Sequence, residues 1–303
     1  MYKKIYEQGK GENRHLIHLW TDKGYKQIQW DNYAYRECRK EDAEFTGLKG
    51  EPLLKTHNWD RNTQGLHFSD ISAHQKFLIE KYGTDDEPST SHKEVFFDIE
   101  CEMGGALTEE YISNAPKPIT SIAWYDKQAD WWSIVILDKK GQLKHTKTKN
   151  KEIIPLRYEA DLLDTFLSKM EEIQPDILVG YNSDYFDIPY LFYRMCSVLG
   201  EKDAKRLSPI GVVKYKKNNQ YWYKKDQFVD IAGVESLDYM RLHKKYSWED
   251  EPSWKLDSIG EKYVGINKIE YDGSLDRLFE EDIHTFIQYN FVDVEILVEL
   301  DKK

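Results

Sequence analysis

Apolar residues follow two periods along this chain, and the periods alternate in blocks. Residues 15–20 form an extended, partly alternating run. Asp22-Lys23-Gly24 reads as a turn, and 25–30 return as a partner strand. Over 68–82, Ile71, His74, Phe77, Leu78 and Tyr82 fall near one helical face. The stretch 83–92, GTDDEPSTSH, is polar and lacks either period, so it marks a boundary. A short aromatic and β-branched strand follows at 94–100, EVFFDIE, and ends in carboxylates. Two further strands, 119–125 and 131–137, are joined by the turn DKQAD, and 139–152 is a basic polar loop. Residues 158–170 predict an amphipathic helix with Leu162, Leu163, Phe166, Leu167 and Met170 on its apolar face. A buried strand at 177–179 precedes a helix at 188–199, with Pro189 tolerated in its first turn. Ser253 is a candidate N-cap for a short helix over 253–264, and 275–300 reads as one long helix. Strand, helix, strand and helix in that order describe an α/β domain whose sheet faces are covered.

Length adds a second domain. At about 150 residues per domain, 303 residues give two: 1–90, strand-rich with a helix, and 91–303. Hydrophobic residues at 40% and charged residues at 32% are those of a folded protein. The 43 basic against 54 acidic residues leave −11, which excludes a polyanion binder working by bulk charge but not one with a local basic groove. Such a place exists. In 201–225 eight basic residues face only Glu201 and Asp203, a local +6. Overlapping it, 210–231 reads as an inserted hairpin with aromatic arms around Asn218-Asn219. It is either a surface for a phosphate backbone or a hairpin made soluble by lysine. Cys38, Cys101 and Cys196 form no CxxC pair, against a disulfide scaffold or thiolate zinc site and for a reducing compartment. The start MYKKIYEQGKGENRHLIHLW carries no apolar signal stretch, and no run approaches the roughly 18 apolar residues of a membrane span. The expectation is a cytoplasmic protein with no membrane partner; nothing implies a homo-oligomer.

Carboxylates carry the chemistry. Asp98 and Glu100 stand two apart on a strand and so project from one face. Like charges so close raise each other's pKa unless a cation lies between them, and a hard divalent ion fits carboxylate oxygens. Strand ends often carry such a pair without any ion. Asp187 follows a buried strand at the mouth of a helix, where it is either a capping acid or part of a site at the carboxyl edge of the sheet. Asn182 reads as holding the turn before it. Tyr289 and Asp293, four apart, share a helical face with Phe286, Ile296 and Leu300. A carboxylate in that stripe sits at its rim or is compensated by a cation.

Together these segments, FFDIE at 96–100, GYNSDYFDIPYL at 180–191 and QYNFVDVE at 288–295, resemble the three exonuclease motifs of the 3′→5′ proofreading domain of family B DNA polymerases, particularly those of T4-like bacteriophages. LGEKDAKRLSPIGVVK at 199–214 and VESLDYMRLHKKYSW at 234–248 extend the likeness, which covers roughly 94–300. Residues 1–90 occupy the place of that family's N-terminal domain. The resemblance implies a ribonuclease-H-like (DnaQ-like) fold, a mixed sheet with flanking helices, preceded by the smaller strand-rich α+β domain. It implies two divalent cations, Mg²⁺ or Mn²⁺, with Asp98, Glu100 and Asp293 at the catalytic ion. Asp98 would bridge to the second ion, which Asp187 supports through water. Tyr289 would orient the attacking water. The position used by histidine-type relatives is Gln288, so the chain resembles the tyrosine type. DNA with a single-stranded or frayed 3′ end is the implied substrate. Asn182, Tyr185 and Phe186 lie beside the site, and Lys214, Lys216 and Lys217 sit on the hairpin that guides the primer end; core packing is the competing role for Tyr185 and Phe186.

The likeness stops short of a polymerase. The motifs DxxSLYPS, KxxxNSxYG and YxDTDS are not found. The expectation is a shortened form of such a polymerase, or one polypeptide of a split one, acting with a polymerase-bearing partner or region, in the host cytoplasm if the source is a phage. Two rivals remain at this stage: a non-catalytic DNA-guiding module, and an independent exonuclease for RNA or short oligonucleotides.

Overall fold

Strands build most of the first unit, and helices packed on a sheet build the second. The computed structural model describes every residue except 11–13, 61, 62, 86, 103, 216–228 and 248–250. Two compact units divide the chain, Met1–Ser91 and His92–Lys303.

In the first unit, β1 (Tyr2–Lys10), β2 (Arg14–Thr21) and β3 (Gly24–Asp31) form an antiparallel sheet. The β2–β3 turn is the predicted one, and Gly24 takes its positive φ of 105°. A second sheet joins β4 (Ala34–Glu37), β5 (Phe45–Thr46), β6 (Pro52–Thr56) and β7 (Leu66–His67) in the order β5-β6-β4-β7. The helix expected over 68–82 is α1 (Ala73–Tyr82). It starts late because Phe68 has φ 59° and Ser72 forms a capping box with Gln75. His57, His67 and His74 have separate partners, the Asn32 carbonyl, Glu37 and Glu7.

The second unit runs β8 (Glu94–Cys101), α2 (Glu109–Asn114), β9 (Ile119–Asp126), β10 (Trp131–Leu137), β11 (Thr146–Lys147), β12 (Lys151–Leu156), α3 (Glu159–Ile173), β13 (Ile177–Gly180), α4 (Asp187–Val198), α5 (Glu201–Ala204), β14 (Val213–Tyr215), β15 (Val229–Ile231), β16 (Glu235–Asp238), α6 (Tyr239–Tyr246), α7 (Leu256–Val264), α8 (Leu275–Glu281) and α9 (Ile283–Asp301). Among the described residues its central mixed sheet has the order β11-β12-β10-β9-β8-β13-β16. Strands β8, β10, β12, β13 and β16 run one way and β9 and β11 the other. Alternate residues of β8 feed two cores. Val95, Phe97 and Ile99 pack with Leu162 and Phe166 of α3 and Ile188 of α4. Phe96 packs with Phe286, Ile287 and Val294 of α9. This is the mixed sheet with flanking helices of the DnaQ-like exonuclease architecture, with a smaller strand-rich unit ahead of it in the sequence.

Three expectations are corrected. The basic loop at 139–152 contains β11 and the first residues of β12, which the apolar pattern of Ile153 and Ile154 alone left unread. Helix α7 begins at Leu256, not Ser253, and its N-cap Lys255 makes no side-chain cap bond. The long helix at 275–300 is two helices. At Asp282 the backbone leaves helical geometry (φ −140°, ψ 77°), and its carboxylate accepts from the Thr285 amide at 3.0 Å and hydroxyl at 2.6 Å. Among the described residues no helix is long and apolar enough to cross a membrane.

Candidate active site

The two-residue period of β8 puts Phe96, Asp98 and Glu100 on the face that α9 covers. Along α9, Phe286, Asn290, Asp293 and Leu297 recur at helical spacing and are buried toward that face. The result is convergence: Asp98, Glu100 and Asp293 each offer an oxygen, and these oxygens lie within 4.8 Å of one another. Asp187 opens α4 from the neighbouring strand, and its Oδ1 accepts from the Ile99 amide at 3.4 Å.

Burial and mutual repulsion govern the electrostatics. Burial first, then the charges of Asp293, Glu100 and Asp187, hold the Asp98 carboxyl well above the usual range. Burial and Asp293 push Glu100 up to about 8. Burial pushes Asp187 up to about 7 against the backbone amides that favour its charge. Asp293 rises to about 6, burial outweighing the nearby lysine Lys268. Ionised carboxylates accept and cannot donate, and Asp293 Oδ1 is buried with no hydrogen-bond partner. Oxygen ligands so grouped, one of them unsatisfied, fit a hard divalent cation, which would favour their charged forms.

Two residues that sequence reasoning missed complete this cluster. Lys268 follows α7, and its backbone amide is tied to Asp257 Oδ1 at 2.7 Å. Its Nζ donates to Asp293 Oδ2 at 2.5 Å and to the Tyr289 hydroxyl at 3.2 Å. These neighbours raise the lysine's affinity for its proton despite burial. Tyr289 is itself buried, with Tyr271 edge-on at 5.5 Å, and burial and Asp293 raise its phenol. Asn290 is fully buried and donates from Nδ2 to Asp98 Oδ2 at 2.7 Å.

The turn between β13 and α4 is held from β16. Asp238 accepts from the Asn182 amide at 2.9 Å while capping α6 through the Met240 amide. Asp184 accepts from Ser236 Oγ at 2.5 Å and Arg241 Nη1 at 2.6 Å. Asn182 adopts φ 59°, and its carbonyl receives the amides of Tyr185 and Phe186. Gly180 is required there, because a Cβ would stand 2.5 Å from that of Ser183. Tyr185 donates to the Leu107 carbonyl at 3.1 Å, and the Phe186 ring lies 5.4 Å from that of Tyr190.

Comparison with known proteins accords with this geometry. Residues 63–259 match the model of the DNA polymerase family B exonuclease domain. The chain belongs to that family. The match takes in Asp98, Glu100 and Asp187; Tyr289 and Asp293 lie beyond it. A DNA-directed DNA polymerase of Escherichia phage RB69 is 31% identical over 229 residues, 68% of this chain and 25% of the relative. The enzyme of the same name from Enterobacteria phage T4 is 37% identical over 149 residues, 49% of this chain and 16% of the relative. A DNA polymerase of Pyrococcus glycovorans is 30% identical over 125 residues, 41% and 14%. The family B exonuclease chain thus spans a quarter or less of the length of these relatives.

Of this exonuclease domain's predicted hairpin at 210–231, the described part is its base. There β14 and β15 pair antiparallel, Val213 opposite Ile231. Tyr215 packs on Phe192 at 4.8 Å, and Lys214 is exposed. Lys216 and Lys217 lie outside the described residues.

Proposed function

We propose that this chain is a metal-dependent 3′→5′ DNA exonuclease, the proofreading part of a family B polymerase. It removes the 3′-terminal nucleotide of single-stranded or frayed DNA as a deoxynucleoside 5′-monophosphate. One observation carries the reading: Asp98, Glu100 and Asp293 gather their oxygens within 4.8 Å, and Asp293 Oδ1 is buried without a partner.

Asp98, Glu100 and Asp293 would hold the catalytic ion, and Asp98 would also hold a second, which Asp187 would support through water. Two such divalent cations, Mg²⁺ or Mn²⁺, would supply Lewis acidity toward the phosphodiester and toward water. The chain's own groups set the stage. Lys268 favours the ionised form of Asp293 against the effect of burial and orients the carboxylate. The raised Tyr289 phenol keeps its proton at neutral pH, so its hydroxyl remains a donor for positioning water or phosphate. With Gln288 on its amino side, the site is of the tyrosine type with four carboxylates. Asn182, Tyr185 and Phe186 flank the entrance for the 3′ end. Residues 1–90 correspond to the N-terminal domain of such polymerases, and a polymerase-bearing region or chain is the functional partner.

The test is digestion of a 5′-labelled single strand with Mn²⁺, Mg²⁺ or excess chelator. Shortening from the 3′ end in either metal, abolished by chelator and by Asp98→Ala, is expected. A folded Asp98→Ala protein that cleaves normally overturns the mechanism. Competition between matched DNA and RNA strands separates this reading from a ribonuclease.

A further inference from the structure

Asn290 stands between two strands. In the β8–β9 ladder Ser121 is the partner of Glu100, and so lies on the carboxylate-bearing face. Asn290 reaches from α9 to both strands: Nδ2 donates to Asp98 Oδ2 at 2.7 Å, and Oδ1 accepts from Ser121 Oγ at 2.8 Å. Ser121 and Asn290 are both fully buried. With a cation bound, Asp98 is ionised and only accepts, so the amide must turn its NH₂ toward Asp98 and its carbonyl toward the serine hydroxyl. The carboxylate thereby sets which way the amide faces, and the serine hydroxyl anchors its carbonyl end. Holding one oxygen of Asp98 fixes the plane of the carboxylate, and with it the position of the other oxygen.

We infer that Ser121 and Asn290 form a positioning pair that sets the orientation of Asp98 for metal binding. The inference rests on the metal-dependent reading above. Neither residue touches the substrate in this scheme. Partners of this kind that orient a ligand typically change metal affinity or activity by about 10- to 100-fold when removed. The alternative is a buried amide that serves stability alone.

The two roles separate in measurement. Mn²⁺ affinity of the full chain is read by calorimetry for wild type, Asn290→Leu, which keeps the branched shape, and Ser121→Ala, which removes the anchor of the amide carbonyl. Melting in chelator is recorded for each. Asn290→Leu should bind Mn²⁺ about 10- to 100-fold more weakly. Ser121→Ala should shift the same way by less. The Mn²⁺ concentration giving half-maximal cleavage should rise by the same factor, with the maximal rate little changed. Wild-type affinity in both variants, whatever their melting temperatures, overturns the inference. So does a lower maximal rate with unaltered Mn²⁺ dependence. If Asn290→Leu does not fold, Ser121→Ala decides alone, and unaltered affinity there is again fatal. Wild type that binds no Mn²⁺ is a different outcome, since it removes the metal-dependent reading itself.

Discussion

Lys268 and Asp293, 25 residues apart, make a 2.5 Å ion pair at one member of the carboxylate cluster. Asp293 is almost wholly enclosed, and the lysine is the described cation bonded to it. A buried charge that loses its partner costs more than the pair contributed.

Replacing Lys268 by Met should therefore destabilise the metal-free protein by about 3 kcal/mol, the lower end for breaking a buried pair. Urea unfolding in chelator measures this. Cleavage should also fall, because Asp293 and Tyr289 both lose a fixed neighbour. A metal-free Met variant as stable as wild type would show that the pair is not a structural support.

Stability should depend on pH with a definite sign. Glu100, Asp187 and Asp293 have pKa values raised to about 8, 7 and 6 from 4.5, 3.8 and 3.8. The folded chain then holds more protons than the unfolded one between about pH 4 and pH 8, so stability falls as pH rises through that window. Amide exchange in β8 and α9 should quicken from pH 5 to pH 8 in chelator, after correction for intrinsic rates. Mn²⁺ should flatten the trend by favouring the ionised forms. Exchange that slows with pH in chelator would contradict the assignment.

Tyr289→Phe removes one hydroxyl and leaves the ring against Tyr271. Cleavage should slow by about 10- to 1000-fold, the order for a lost positioned polar group. Mn²⁺ affinity should change little. A Phe variant with both activity and metal binding abolished would make the tyrosine a ligand or a prop.

Changing Lys214, Lys216 and Lys217 together to Ala should weaken binding of primer-template DNA. The salt dependence should flatten by up to about 0.9 in log–log slope for each phosphate no longer neutralised. Cleavage of a short single strand should suffer much less, since it needs no steering. Equal losses on both substrates would put these lysines at the active-site entrance.

What could be read in advance was local and periodic. Asp98 and Glu100 share a face because a strand repeats every two residues, and Tyr289 and Asp293 share one because a helix returns every four. Lys268 has no such signature. It sits in an irregular segment, and only the fold brings it to Asp293. Asn290 reads as an ordinary polar residue of α9, yet its partner Asp98 is 192 residues away. The break at Asp282 was hidden for another reason. Leu278, Ile283 and Phe286 all feed one core, so apolar spacing runs through the break. The signal was the Asp282-x-x-Thr285 cap. Two-residue strands such as β5, β7 and β11 are too short to show any period.

The alternation along β8 also makes length, and not only composition, critical there. One residue inserted or deleted between Val95 and Asp98, with the upstream pairing held, would turn Asp98 and Glu100 toward Leu162 and Phe166 and carry Ile99 to the opposite face. Unless a bulge takes up the extra residue upstream of Asp98, a change of one codon in the strand's length dismantles the site. Such insertions should instead accumulate beyond the ladder, in the turn between β9 and β10, where an added residue leaves the parity of β8 untouched.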